Sequence, residues 1–136
     1  MTEPRVPVWT AGAADLAVLV LFVAIGRRTH DTGGAVAGFL RVLWPFVVGL
    51  VAGWLVTGLA AAPLAWRRAL PAWLATVGLG VTLRILVQGH EFKLAFTLVA
   101  VVFVGAGMLG WRGAVIGVRA LGDRRDARSR GSLRQR

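Results

Sequence analysis

Four long, nearly uncharged apolar segments restrict what this chain of 136 residues can fold into. They cover approximately residues 8–25, 39–61, 69–87 and 94–111. Each is close to the length that a helix rising about 1.5 Å per residue needs to cross roughly 30 Å of hydrocarbon. Because 57% of the residues are hydrophobic and only 16% are charged, one small soluble core could not accommodate all four segments, whereas a bilayer solvates each of them. The sequence therefore predicts an all-α polytopic membrane protein, a bundle of four transmembrane helices.

The first segment is short and contains Asp15, so a cleaved signal peptide is the alternative interpretation. A signal peptide carries its positive charges before the apolar run. Here Arg27 and Arg28 follow it, which favours a membrane span.

The distribution of basic residues predicts the orientation of the bundle, because positively charged loops are retained in the cytoplasm. Eleven arginines fall on one side of a four-span arrangement: Arg5, Arg67, Arg68, Arg112, Arg119, Arg124, Arg125, Arg128, Arg130, Arg134 and Arg136. Four basic residues fall on the other side: Arg27, Arg28, Arg41 and Lys93. We therefore expect both termini in the cytoplasm.

The composition changes near residue 118, where the long apolar segments end and a basic segment begins. The sequence therefore predicts two regions, a transmembrane domain over residues 1–117 and a basic tail over 118–136. The tail holds seven arginines and two aspartates among glycine and serine, so we expect it to be disordered or loosely helical. Its basic side chains would contact anionic lipids of the inner leaflet; the simpler alternative is an anchor that only fixes topology. The tail residues predicted at the lipid surface are Arg119, Arg124, Arg125, Arg128 and Arg130.

Several functional classes lack their signatures in this sequence. It has no cysteine, and His30 and His90 are its only histidines, without a local metal-binding motif. No nucleophile elbow or phosphate-binding glycine loop is present, and the four apolar segments contain no pair of carboxylates at helical spacing. We expect no cofactor, no metal, no nucleic-acid partner and no enzymatic activity.

Small residues indicate where helices could pack closely. Gly49 and Gly53 in the second span, and Ala106 and Gly110 in the fourth, have the four-residue spacing that allows close backbone approach. This spacing fits a compact bundle or a homo-oligomer equally well.

The tryptophans predict aromatic belts at the two membrane interfaces. Trp54 alone is predicted at depth. The inner belt would contain Trp9, Trp66, Trp73 and Trp111, and the outer belt Trp44.

Asp15 is the first polar residue that could carry a function. An ionised carboxylate in hydrocarbon is costly and is expected to find a partner or to take up a proton. The functional interpretation and the structural one, in which Asp15 hydrogen-bonds a neighbouring helix, both remain open.

Arg84 lies near the predicted outer end of the third span. Its side chain could extend to the interface, or turn inward and meet polar residues of the two outer loops. In the second case guanidinium, imidazole and carboxylate groups would converge on one outer mouth, able to bind an anion or a lipid phosphate, with histidine as a titratable gate. The loop residues of this predicted cluster are Arg27, His30, Asp31, His90 and Glu91.

Asp15 and Arg84 are predicted at opposite depths and out of contact. They could mark two stations of a proton-linked carrier. Such carriers use helices broken near mid-span, whereas Pro45 and Pro71 are predicted near helix starts, where proline is tolerated. The sequence therefore gives the carrier interpretation little support.

The chain resembles the bacterial membrane proteins grouped as domain of unknown function 3054. The motifs that carry the resemblance are Asp15 with the following apolar run, Gly26-Arg27-Arg28-Thr29-His30-Asp31, Trp44-Pro45-Phe46, Trp73 with Gly80-x-x-x-Arg84, and Leu109-Gly110-Trp111-Arg112. It extends over the chain up to about Arg112 and excludes the basic tail. The resemblance implies a four-helix membrane fold and no defined activity, and it directs attention to Asp15, Gly26, Arg27, His30, Arg84 and Arg112.

Two functional hypotheses follow. The first is a small carrier or binding subunit for an anion, a proton or a lipid head group at the outer polar cluster. The second is an accessory subunit that packs against a larger membrane complex, or against a second copy, through its small-residue faces.

Overall fold

The computed structural model describes residues 5–28 and 34–134, and its regular elements over those ranges are all helical. They are α1 (Val8–Arg28), α2 (Ala35–Thr57), a short 3₁₀ helix (Leu59–Ala61), α3 (Trp66–Gln88) and α4 (Leu94–Arg134). Each of the four α-helices contains a segment long and apolar enough to cross a membrane. This finding agrees with the predicted four-helix architecture.

The helices form an antiparallel bundle in which α1 packs on α2 and α4, and α3 packs on α2 and α4. The contacts between α2 and α3 show that these two helices run in opposite directions. Gly49 approaches Thr76 and Gly53 approaches Ala72, so residue numbers rise along α2 as they fall along α3. One end of the bundle holds the start of α1 and the α2–α3 connection; we call it the first end. The opposite end holds the α3–α4 connection.

The outward surfaces of the helices are apolar. Val56, Leu55 and Leu86 expose 86%, 77% and 75% of their surface, respectively. A water-soluble monomer does not normally present so much contiguous apolar surface, whereas lipid chains cover it without cost. The bundle therefore has the surface of a membrane-embedded protein.

Close packing between α2 and α3 depends on two glycines. A Cβ atom added at Gly49 would lie 2.5 Å from the Thr76 carbonyl oxygen, and one at Gly53 would lie 2.7 Å from that of Ala72. These two predicted packing positions thus face a neighbouring helix of the same chain. Ala106 and Gly110 are exposed instead, and the close contacts of α4 are made by Gly105 against Trp73 and Gly107 against Val18.

The helix boundaries differ from the predicted ones in α2. This helix begins at Ala35 and ends at Thr57, where Gly58 adopts a left-handed conformation (φ 62°) that continues the chain into the 3₁₀ helix. Because α2 starts earlier than expected, Pro45 lies about three turns inside it. The prediction that Pro45 falls near a helix start is therefore wrong.

The fourth helix is much longer than the predicted span. It continues from the apolar segment to Arg134 without interruption, although residues 120–131 are exposed on all sides. Alanine, leucine and arginine in this stretch are strong helix formers, and no proline interrupts them. The basic segment, including Arg124, Arg125, Arg128 and Arg130, is thus a helical extension of α4 where a disordered or loosely helical tail was expected.

The approach of α2 to α3 predicts a strong effect of one methyl group. Gly49→Ala should lower the free energy of unfolding by about 1–3 kcal/mol, because its Cβ must displace the backbone of α3. The matched control is Gly78→Ala, since nothing lies within 4 Å of a Cβ at Gly78. Unfolding in a graded detergent titration measures both variants. Equal stability of the two would contradict the close approach.

Candidate functional site

A buried carboxylate joins the helices near the first end of the bundle. Asp15 in α1 is fully buried, and both of its oxygens are hydrogen-bonded. Arg112 donates from Nη1 to Oδ1 and from Nη2 to Oδ2, each at 2.7 Å. Two indole nitrogens complete the set, from Trp111 to Oδ1 at 2.8 Å and from Trp54 to Oδ2 at 3.0 Å. We call these four residues the Asp15 cluster.

Arg112 is fully buried as well and uses its remaining donors on backbone carbonyls. Its Nε donates to the Pro63 oxygen at 2.8 Å, and its Nη1 donates also to the Met108 oxygen. The guanidinium carbon lies 4.5 Å from the centre of the Trp111 ring. Pro63 belongs to the α2–α3 connection, so one side chain contacts α1, α4 and that connection.

The chemistry of the Asp15 cluster is that of a closed ion pair. The carboxylate accepts four hydrogen bonds, and neither charged side chain has accessible surface. A bidentate guanidinium contact gives the pair a fixed geometry. The structure therefore supports the structural interpretation of Asp15, a residue bonded to neighbouring helices, over that of a station reached by solvent.

The sequence did not identify the partners of Asp15. Arg112, predicted among the cytoplasmic arginines, is fully buried. Trp111, predicted in an aromatic belt, is half-buried and donates to Asp15. Trp73 also differs from the prediction, since its Nε1 donates to the Val101 oxygen at 3.2 Å. The only sequence signal was the adjacent Trp111-Arg112 pair at the end of the fourth apolar segment.

A second polar site opens at the opposite end of the bundle. It is a cavity of about 640 Å³ between α1, α3 and the start of α4, which we call the outer pocket. Its apolar wall includes Phe22, Val81 and Phe96. The ionisable side chains that line it are Arg27, Arg84, His90, Glu91 and Lys93.

Arg84 reaches into the outer pocket from α3. Its guanidinium carbon lies 4.5 Å from the centre of the Phe96 ring. The Nη1 atom is buried and makes no hydrogen bond with the described part of the chain. A buried guanidinium nitrogen without an acceptor is unfavourable by about 1–3 kcal/mol. A small shift of the Arg84 side chain toward a ligand oxygen in the pocket would remove that cost.

Proline shapes the margin of this pocket. Pro45 has no N–H, so the Arg41 carbonyl one turn earlier loses its helical hydrogen bond. Gln88, the last residue of α3, donates from Nε2 to that Arg41 oxygen. This contact fixes the end of α3 against α2, and Arg84 lies one turn before Gln88.

The predicted outer cluster is assembled in part. Arg27, Arg84, His90 and Glu91 line one cavity, joined by Lys93. His30 and Asp31 lie outside the described residues. Within the described ranges, no group of histidine, aspartate or glutamate side chains is arranged to hold a metal ion.

An apolar layer separates the Asp15 cluster from the outer pocket. Phe22 and Phe46 pack edge to face at 5.4 Å between ring centres, and Phe96 and Phe103 each lie 5.8 Å from Phe22. Besides Asp15 and Arg112, the buried polar side chain of the described interior is Thr76, which donates to the Ala72 carbonyl of its own helix. Asp15 and Arg84 make no contact with each other in this arrangement.

The Asp15 cluster predicts a non-additive pair of substitutions. Arg112→Met should destabilise the bundle by about 3–5 kcal/mol, because it leaves Asp15 buried without its cation. The double variant Asp15→Leu with Arg112→Met should regain much of that loss, since no charge is then buried. Detergent unfolding measures both. Arg67→Met, at an exposed position early in α3, is the control; if Arg112→Met were equally harmless, the ion pair would not be what joins the helices.

The comparisons with known proteins place the chain in a family. No curated protein and no solved structure matches it. Residues 12–115 match the family described as "Protein of unknown function (DUF3054)". That range includes Asp15, the outer pocket and Arg112, and it leaves out most of the basic extension of α4. Because the match covers well over half of the sequence, the chain belongs to the DUF3054 family.

Proposed function

We propose that this protein binds an anion with phosphate or carboxylate oxygens in the outer pocket. The observation that carries the proposal is the buried Arg84 Nη1, a charged donor without a partner in the described chain, on a side chain that lines a cavity of about 640 Å³. Hydrogen bonds from a guanidinium to an anionic oxygen are among the stronger ones in proteins. A ligand oxygen at this point would satisfy the donor and neutralise part of the charge.

The charges around the pocket support this choice of ligand. Arg27, Arg84 and Lys93 are cations, and Glu91 is the single carboxylate among the described residues that line the cavity. The local potential is therefore positive. His90 adds a side chain that can act as a neutral donor or as a further cation.

Binding is a better description than transport across the bundle. The phenylalanine layer lies directly between the outer pocket and the Asp15 cluster, and the carboxylate of Asp15 is fully paired. An anion or proton in the outer pocket has no line of polar side chains to follow through the described interior. We therefore favour a binding subunit over a carrier.

The alternative role as an accessory subunit rests on α4. Ala106 and Gly110 are exposed there, and small side chains suit contact with a helix of another protein or a second copy. This role makes no use of Arg84, which separates the two hypotheses.

We further propose that the helices span a bacterial plasma membrane with the first end in the cytoplasm. The excess of arginine at that end, and the basic extension of α4 next to anionic lipid, support this orientation. The outer pocket then faces the external side.

Single cysteines would test the orientation, because the natural sequence contains none. In intact cells, a membrane-impermeant maleimide should label Phe92→Cys, in the α3–α4 connection, and should label Ala61→Cys, in the 3₁₀ helix, only after lysis. Both positions are exposed. The reverse pattern would overturn the proposed orientation.

Loss of the Arg84 cation should weaken anion binding. We expect Arg84→Gln to reduce the affinity for inorganic phosphate and for water-soluble dihexanoyl phosphatidic acid by about 10- to 100-fold, the effect of one charge-assisted hydrogen bond. Titration calorimetry of the full-length protein in a neutral detergent measures the affinity. Arg41→Gln is the matched control, because Arg41 is exposed in the same half of the bundle and does not line the pocket.

Two results would contradict the binding proposal. The first is no measurable affinity of the unsubstituted protein for either probe. The second is equal affinity of the Arg84→Gln and Arg41→Gln variants. If the Arg84→Gln variant bound neither probe but remained as stable as the unsubstituted protein, the result would support the proposal and assign the site to Arg84.

A further inference from the structure

A groove on the outside of the bundle, between α1 and α4, lies next to the outer pocket. It has a volume of about 610 Å³ and is lined by apolar side chains. Val18 and Leu21 of α1 form one wall, and Leu98, Val102, Phe103 and Ala106 of α4 form the other. Several of them are widely exposed, Val102 by 67% and Leu21 by 55%, so the groove is open along its length.

The groove and the outer pocket are adjacent. Val99 lines both cavities. Phe22, at the wall of the outer pocket, packs against Phe103 of the groove with 5.8 Å between ring centres. A molecule could therefore occupy the cationic pocket and the apolar groove at the same time.

The length of the groove matches one leaflet of a bilayer. Along α4 it extends from Leu98 to Gly107, a rise of about 14 Å at about 1.5 Å per residue. Half of the hydrocarbon thickness is about 15 Å. The groove is thus about as long as the hydrocarbon layer of one leaflet is thick.

We infer that the ligand of the outer pocket is a membrane lipid with an acidic head group, whose acyl chain lies in the groove between α1 and α4. The inference rests on the proposed anion binding and adds the chemical class of the ligand. The head group meets Arg84 and Lys93, while the acyl chain covers apolar atoms that no other described helix covers. A lipid enters such a site sideways from the bilayer, so no path through the bundle is needed.

Photo-crosslinking tests where the chain of the lipid lies. The full-length protein is placed in phosphatidylcholine nanodiscs with a small fraction of phosphatidic acid that carries a diazirine near the middle of one acyl chain. Phosphatidylcholine with the same diazirine chain is the matched probe. We expect the acidic lipid to label the 98–107 and 18–21 segments about tenfold more than the neutral one, the contribution of one charge-assisted contact.

Substitutions in the groove and in the pocket should act differently on this labelling. Ala106→Phe and Val102→Trp should each fill the groove and remove its labelling, whereas Ala114→Phe, at an exposed position of α4 outside the groove, should leave it unchanged. Arg84→Gln should remove the preference for the acidic lipid. Detergent unfolding of each variant verifies that the bundle is intact.

Distinct outcomes separate the failure of this inference from that of the proposed function. If the pocket binds inorganic phosphate through Arg84 but the diazirine labels α2 and α3 as much as the groove, the lipid inference is overturned and anion binding stands. Cross-links between two protein copies through the groove would also overturn it. If neither probe depends on Arg84, both proposals fail.

Discussion

The ion pair between Asp15 and Arg112 is the interaction on which the arrangement of the helices depends. A carboxylate among apolar helices requires a partner of opposite charge and donors for its remaining lone pairs. Arg112 supplies the charge at 2.7 Å, and the indoles of Trp54 and Trp111 supply the donors. Because the remaining guanidinium N–H groups reach Pro63 and Met108, the register of α1 against α4 and the position of the α2–α3 connection are set together. A slip of one helix by a residue would leave a buried charge without a partner.

Buried polar atoms also need hydrogen-bond partners at the opposite end of the bundle, and there only some of them have one. Pro45 frees the Arg41 carbonyl, and Gln88 occupies it, which is how helices in lipid tolerate an internal proline. Arg84, one turn away on α3, keeps its Nη1 without an acceptor from the described chain. A molecule that satisfies the polar atoms around Asp15 leaves a charged donor unsatisfied on a side chain that lines an open cavity. That contrast is the physical reason to look for a ligand at Arg84 and not at Asp15.

Local patterns in the sequence were sufficient for the number of helices and for the close approach at Gly49 and Gly53, because length, hydropathy and spacing are local properties. Those local properties could not identify the partner of Asp15. Arg112 lies 97 positions away along the chain, and by charge alone it resembles any arginine after a membrane span. The outer pocket was predicted in part, since loops that join antiparallel helices at one end must lie near each other. The groove was not predicted, because it depends on which faces of α1 and α4 remain uncovered after packing.

The two polar sites differ in a way that constrains what the bundle can do. At the Asp15 cluster each guanidinium nitrogen and each carboxylate oxygen of the ion pair has at least one hydrogen-bond partner. The apolar layer around Phe22 and Phe46 isolates the cluster from the outer pocket. Moving an ion through that layer would require the phenylalanines to separate and the ion pair to open, which would remove the contacts that set the helix register. Moving a lipid into the groove between α1 and α4 requires neither, since the groove already faces the bilayer. The geometry of the closed site therefore favours a protein that holds its ligand at the lipid boundary over one that carries it across.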